Sequence, residues 1–216
     1  MAVLVAGGTG ALGSAVVRDL AGSGYDVTAL DRHGDVEGVN TVHADLLDPA
    51  ATAEAVASVD ELEAVVNLVG GFAMGPKVGD SELEDFEKML RLNLVPAFNL
   101  ARAAMPRMVE AGGGAFVCVS AKAALAPFSG AAGYVTAKAG VITFVKALDA
   151  EYRDAGVRCN AVLPSIIDTP ANREAMPNSD RDGWVAPEQI ARVIRFLVSP
   201  DSEVTSGAAV PVYGRG

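Results

Sequence analysis

The stretch Ala2-Val3-Leu4-Val5-Ala6-Gly7-Gly8-Thr9-Gly10-Ala11-Leu12-Gly13 decides how this chain reads. Five apolar residues make a short strand, and glycines then break it into a tight turn. Beyond the turn Leu12, Val16 and Leu20 recur at helical spacing, and Gly22 and Gly24 close the helix. A glycine-rich turn from strand to helix lets a pyrophosphate approach the backbone. The first helical amides and the positive end of the helix dipole then meet the phosphates. Gly7, Thr9, Gly10, Ala11, Leu12 and Gly13 are therefore candidate dinucleotide contacts.

The following strand, Tyr25 to Asp31, ends on a carboxylate eighteen residues past Gly13. That is near the spacing of an acidic residue that bonds the adenosine ribose hydroxyls. A carboxylate there repels a 2′-phosphate, so NAD(H) is the preferred cofactor. Arg32 follows and could attract that phosphate, which keeps NADP(H) possible.

Composition fits one soluble enzyme domain over 1–216, cytoplasmic in character. The 216 residues suffice for one core. No uninterrupted apolar run approaches the ~20 residues of a membrane span, and with the chain opening on its first strand no leader or anchor is expected. A net charge of −10 argues against nucleic acid and anionic membranes as partners. Cys118 and Cys159 lie in apolar strand-like runs and read as buried thiols. His33 and His43 lack metal-ligand spacing, and no metal site is expected.

Strand candidates at Ala2–Ala6, Val27–Leu30, Thr41–Ala44, Ala64–Val69, Ala115–Val119, Val157–Leu163 and Ala208–Val212 alternate with helical patterns. That alternation implies an α/β fold of Rossmann type, doubly wound, with about seven parallel strands and helices on both faces. Pro164 to Pro187 is too long and irregular for a passive connector, and reads as a substrate loop.

Far from the glycines, Tyr134-Val135-Thr136-Ala137-Lys138 places a phenol and an amine one helical turn apart. Hydride transfer to a carbonyl needs a proton at the developing alkoxide. Tyrosine is a weak acid at neutral pH, with a reference pKa of about 10. A lysine cation ~4 Å away, at an effective dielectric of about 20, would favour the phenolate by roughly 4 kcal/mol. That would bring Tyr134 into working range. Ser81-Glu82-Leu83-Glu84 reads as a capping box that opens the preceding helix. Asn93 falls on the same apolar face as Phe86 and Met89, so its amide needs buried partners.

On these residues the chain resembles the short-chain dehydrogenase/reductase family, essentially end to end. Gly7, Ala11 and Gly13 occupy its glycine motif, with Ala11 at the place of the middle glycine; Gly7, Gly10 and Gly13 fit an alternative spacing. Asp45-Leu46 resembles the acidic pair that meets the adenine ring. Val66-Asn67-Leu68-Val69-Gly70 is similar to its Asn-Asn-Ala-Gly strand end, with Leu68 replacing the second Asn. Asn160-Ala161-Val162-Leu163-Pro164-Ser165 is similar to its Asn-…-Pro-Gly segment, with Ser165 replacing Gly. The resemblance implies cofactor contacts at Asn67, Val69, Gly70 and Pro164, and nicotinamide carboxamide contacts at Ile167 and Thr169. It implies Tyr134 and Lys138 as the catalytic pair, Lys138 also binding the nicotinamide ribose. Asn93 becomes the residue that bends its helix and passes protons through water to the lysine. It also implies homodimers or homotetramers built on the helices around Ala97–Val109 and Tyr134–Arg153.

The chain departs from the family at the catalytic serine, which stands thirteen residues before the tyrosine. Here that position is Ala121, with Ser120 next door. Neighbouring strand residues point to opposite faces, so either a bulge redirects Ser120 or the serine is missing from the site. Ser120-Ala121-Lys122-Ala123-Ala124-Leu125, Val69-Gly70-Gly71-Phe72 and the run Asp168 to Pro177 with Trp184 resemble dihydropteridine reductases, a subfamily that works without the serine. That likeness implies a small planar C=N/C=O substrate, with Ala121, Asn172, Arg173 and Trp184 as its contacts. Carbonyl or 3-oxoacyl reduction is the alternative, and a non-catalytic dinucleotide sensor is the alternative of another class.

Overall fold

The computed structural model describes residues 1–215. In chain order it forms β1 (Ala2–Ala6), α1 (Ala11–Gly22), β2 (Asp26–Asp31), β3 (Asn40–His43), α2 (Pro49–Ala57), β4 (Leu62–Asn67), α3 (Leu83–Asn93) and α4 (Val95–Glu110). Then follow β5 (Gly114–Val119), α5 (Ala132–Tyr152), β6 (Val157–Pro164), α6 (Pro170–Ala175), α7 (Pro187–Val198) and β7 (Ala209–Val212). The seven strands make one sheet in the order β3-β2-β1-β4-β5-β6-β7, and every neighbouring pair is parallel. This is the doubly wound arrangement that the alternating pattern implies.

Both faces of the sheet are covered, which is why its strands read as unbroken apolar runs. Side chains alternate across the sheet. Leu4 and Val65 face a core with Ala55 and Val56 of α2, Leu100 and Met105 of α4, and Val141 and Val145 of α5. Val3, Val5 and Val66 face the opposite core, with Val16 and Leu20 of α1 and Ile190 and Ile194 of α7. Leu4 and Val5 are fully buried, and each such side chain is worth about 1.5–3 kcal/mol. Cys118 and Cys159 are free and buried in the first core, as their apolar runs imply.

Two local expectations change. The strand expected over Ala64–Val69 starts at Leu62 and stops at Asn67. It stops because the Asn67 side-chain oxygen accepts the Val69 N–H at 3.1 Å, turning the chain out of the sheet. The capping box at Ser81–Glu84 does not form. Glu82 is the N-cap of α3 and makes no side-chain cap. The Ser81 hydroxyl instead donates back to the carbonyls of Pro76 and Lys77, which the short turn Val78–Asp80 brings within 3.3 and 3.0 Å.

From β1 the sheet grows one way through β2 and β3, and the other way from β4 onward. A crevice opens at the carboxyl ends of strands where the winding reverses. Here it lies between β1 and β4, and the candidate residues gather there.

Candidate active site

Each glycine of the first turn has its own geometric reason. Gly7 has φ +79°, a conformation that glycine adopts without cost. A Cβ on Gly13 would lie 1.9 Å from the Gly7 carbonyl oxygen, so only glycine lets α1 sit on the turn. Gly10 differs: a Cβ there would meet only the Gly7 oxygen, at 3.5 Å. Gly10 is the N-cap of α1 and makes no side-chain cap. The amides of Ala11, Leu12 and Gly13 open the helix, and helix geometry gives such amides no acceptor behind them. A cradle that a Cβ would fill, below uncapped helix amides, fits a pyrophosphate.

A groove of about 250 Å³ runs over this turn. Gly7, Gly10, Asp31, Arg32, Asp45, Leu46, Val69 and Gly70 line it, with Leu92 and Pro96 on its far side. Asp31 is held rigidly. Its carboxylate accepts from the Thr9 hydroxyl at 2.6 Å, the Thr9 amide at 3.3 Å and the Arg32 amide at 2.8 Å. Thr9 thus braces Asp31. The Leu46 side chain packs into the core at 4% exposure, so its backbone and Asp45 form this part of the wall. Asn99, which the sequence reading passed over, donates to the Leu46 carbonyl at 2.8 Å.

At the other end, Tyr134 and Lys138 rise from the first turns of α5. Lys138 is buried, and its ammonium donates to the Val119 carbonyl at 3.1 Å. Burial holds its pKa down at about 8, partly countered by Cys118. Burial also pushes the Cys118 thiol up to about 12. The phenol of Tyr134 is half-buried, and burial raises its pKa above the ordinary value. The lowering expected from Lys138 is therefore not seen. The phenol is desolvated, and the ring stands edge-on to Phe72 at 5.0 Å and 84°, while the ammonium points to the Val119 carbonyl. Phe72 was legible only as part of a resembling stretch, not as a ring against the tyrosine.

Asn93 ends α3 and is 1% exposed. Its Nδ2 donates to the carbonyls of Gly71 at 3.0 Å and Met89 at 3.1 Å, and its Oδ1 accepts the Gly71 amide at 3.1 Å. A Cβ on Gly70 would come within 2.5 Å of Asn93 Oδ1 and 2.9 Å of Lys138 Nζ. Gly70, Asn93 and Lys138 therefore meet at one point. Ser120 is buried, and its hydroxyl donates to the Lys138 backbone carbonyl at 2.7 Å. The hydroxyl is thus bonded to helix backbone, and Ala121 occupies the neighbouring position with 7% exposure.

Pro164 ends β6, and the loop beyond it is more ordered than its composition suggests. An isolated parallel bridge joins Ile167 to Val185, with the Asp168 amide donating to the Val185 carbonyl at 2.8 Å and the Val185 amide to the Ile166 carbonyl at 2.9 Å. Thr169 caps the short helix α6, its hydroxyl accepting the Asn172 amide. Two expected substrate donors are spent inside the loop. Asn172 donates to the Ile167 carbonyl at 2.8 Å, and Arg173 grips Asp168 in a two-point ion pair at 2.6 and 2.8 Å. That pairing holds the Asp168 carboxyl below the usual carboxylate range. Trp184 lies against the Arg181 guanidinium, 5.7 Å from its ring centre. The short spacing from Asp168 to Arg173 closes the pair within one turn of chain, so the loop satisfies its own polar groups. No group of His, Cys, Asp and Glu suited to a metal occurs among the described residues.

The comparisons with known proteins meet this geometry. The profile of the short chain dehydrogenase family matches residues 1–180. The chain is 30% identical to the 3-oxoacyl-[acyl-carrier-protein] reductase MabA of Mycobacterium bovis, over 98% of this chain and 91% of that protein. It is 28% identical to a dihydropteridine reductase of Dictyostelium discoideum, over 96% of this chain and 92% of that protein. A short-chain type dehydrogenase/reductase structure from Mycobacterium ulcerans superposes with a TM-score of 0.93 at 23% identity, covering 99% of this chain and 88% of that one. The chain thus belongs to the short-chain dehydrogenase family, whose members bind nicotinamide dinucleotides, and it is an oxidoreductase.

Proposed function

We propose that this oxidoreductase transfers hydride between NAD(H) and a small planar substrate bearing a C=N or C=O group, in the manner of a dihydropteridine reductase. The observation that carries the substrate class is Ser120. Its hydroxyl is committed to the Lys138 carbonyl, so the carbonyl-polarising serine of an ordinary ketone reductase has no counterpart facing the substrate. The likeness to the Dictyostelium dihydropteridine reductase and the Phe72 ring beside Tyr134 support a flat, conjugated substrate. Carbonyl or 3-oxoacyl reduction is the second reading, favoured by the likeness to MabA and by Asn93, which belongs to the broader family's pattern.

Bound nicotinamide would supply or accept the hydride. The chain's own residues do the rest. The uncapped amides at Ala11–Gly13 hold the pyrophosphate and Asp31 holds the adenosine ribose diol, which selects against a 2′-phosphate. Asp45, Asn67, Val69, Gly70, Pro164, Ile167 and Thr169 complete the cofactor site. Tyr134 delivers a proton to the substrate nitrogen or oxygen as charge develops there. At neutral pH this phenol carries its proton, as a donor in the reductive direction must. Lys138 stands one turn away to offset the phenolate left behind, and Asn93 fixes the Gly71 backbone beside it. The loop 164–187 covers this end as part of one catalytic unit, Trp184 offering a stacking surface. Copies of the chain pair through α4 and α5, where Leu94, Phe98 and Phe144 line an almost wholly apolar groove and Phe98 is 52% exposed. No described helix is long and apolar enough to cross a membrane.

The test is Tyr134→Phe with quinonoid dihydropterin and NADH. The substitution should leave NADH binding intact and lower turnover by about two orders of magnitude or more. Undiminished turnover would overturn the assignment of Tyr134. Turnover of a ketoacyl thioester but not of dihydropterin by the unaltered chain would move the substrate to the second reading.

A further inference from the structure

Two buried asparagines, six residues apart, brace opposite ends of the groove. Asn93 clasps the Gly71 backbone at the catalytic end. Asn99, one helix on in α4, reaches the other way and donates to the carbonyl of Leu46 at 2.8 Å, across 53 residues of sequence. Asn99 is 5% exposed, on a helix whose Ala97, Leu100 and Ala104 are apolar and fully buried. A buried amide costs free energy unless it is partnered. Its partner lies in the Asp45–Leu47 turn, which forms one wall of the groove.

That turn has internal bonds of its own. The Leu47 amide donates to the Asp45 carboxylate at 2.9 Å, and the Asp48 amide to the Asp45 carbonyl at 2.9 Å. These bonds set its shape. They do not set its distance from α4, whose first turn supplies Pro96 to the far side of the same groove. The Asn99–Leu46 bond spans that distance. It holds the Asp45–Leu47 wall against the helix that forms the rest of the groove.

We propose that Asn99 is a positioning residue for the adenosine half of the dinucleotide, acting through Leu46 on the wall that Asp45 and Leu47 present. This rests on the dinucleotide reading of the groove. Leu46 keeps its apolar anchor in the core, so loss of the Asn99 bond lets the wall shift without unfolding the turn.

The test compares ligand halves by calorimetry on the full chain: ADP-ribose for the adenosine half, reduced nicotinamide mononucleotide for the other, and NADH for the whole. In Asn99→Leu, ADP-ribose and NADH should bind about tenfold more weakly, while the mononucleotide stays within about twofold of its original affinity. Asn99→Ala removes the donor without setting apolar bulk beside the Leu46 carbonyl, and decides the matter if the leucine variant does not fold. Equal weakening of both halves would reduce Asn99 to a general packing residue and overturn the proposal. So would unchanged ADP-ribose affinity in a folded variant. Failure of the unaltered chain to bind ADP-ribose at all would instead overturn the dinucleotide reading, and this inference with it.

Discussion

Lys138→Met should make the protein more stable at neutral pH while abolishing its chemistry. The Lys138 ammonium is buried with the Val119 carbonyl as its hydrogen-bond acceptor, and burial lowers its pKa from 10.5 to about 8. At 1.36 kcal/mol for each pH unit, the charge costs the fold about 3 kcal/mol at pH 7. The sign follows from proton counts. Below pH 8 the lysine is charged in both states, and the folded state bears the whole cost. Between about 8 and 10.5 the unfolded chain holds more protons than the folded one, so stability rises with pH and the cost is relieved. Methionine fills a similar volume without charge and forfeits one hydrogen bond, worth about 1 kcal/mol. A net gain of about 2 kcal/mol at pH 7 is expected, vanishing near about pH 10 and turning into a deficit of about 1 kcal/mol above it, where only the lost hydrogen bond remains. Cys118 and Cys159 act oppositely. Their folded pKa values, pushed up to about 12 from 9.0, remove stability above pH 9. They are common to both proteins and cancel in the difference. Urea denaturation of both proteins at pH 7, 8, 9 and 10 measures the gap directly. A methionine variant less stable than the parent at every pH, by a constant amount, would refute the reasoning and show the ammonium to be fully compensated where it sits.

Three further outcomes are expected. Asp31→Ser should narrow or reverse a preference for NADH over NADPH in calorimetric titrations, because Arg32 lines the same groove and would no longer be opposed; a parent protein that already prefers NADPH would show that Arg32 dominates. Ser120→Ala should cost about 1 kcal/mol of stability, for the bond to the Lys138 carbonyl. Its turnover should fall no more than about threefold, against the hundredfold or more expected of a true oxyanion donor. Phe98→Asp should disperse any oligomer in light scattering, since it sets a charge in the apolar groove beside Phe144; an assembly indifferent to it would be built on another face.

The architecture was legible because the five inner strands are buried on both faces and the longer helices on one, so the two apolar periods alternate along the chain. The glycine turn was legible for a stronger reason: at Gly7 and Gly13 backbone geometry admits no other residue, and such positions advertise themselves. What escaped was the commitment of polar side chains. Asn172 and Arg173 read as donors for a substrate, yet Ile167 and Asp168 sit close enough in sequence to satisfy them first. Ser81 is likewise drawn to Pro76 and Lys77 rather than to its helix. Hydrogen-bond partners five residues away compete with any partner across the fold, and residue type alone does not reveal the winner. Asn99 escaped differently. Its partner lies 53 residues away, and only the packing of α2 against α4 brings the two together. The Tyr134–Lys138 spacing was visible, but the direction in which the lysine extends is set by the Val119 carbonyl, which no spacing rule supplies.

The place of β1 in the sheet bears on how the chain acquires its shape during synthesis. Ala2–Ala6 is made before the other strands, yet it pairs with β4, whose residues Leu62–Asn67 are made some 60 positions later. Until then Val3, Leu4 and Val5 have at most one neighbouring strand. At about 5–20 residues per second this interval lasts several seconds. The same five residues that found the sheet are therefore the ones a nascent chain leaves exposed longest. Pairings so distant in sequence are slow to form, because the intervening loop must close before any contact repays it. Slower elongation lengthens that exposure in proportion, and should therefore lower the soluble yield unless a chaperone covers the strand.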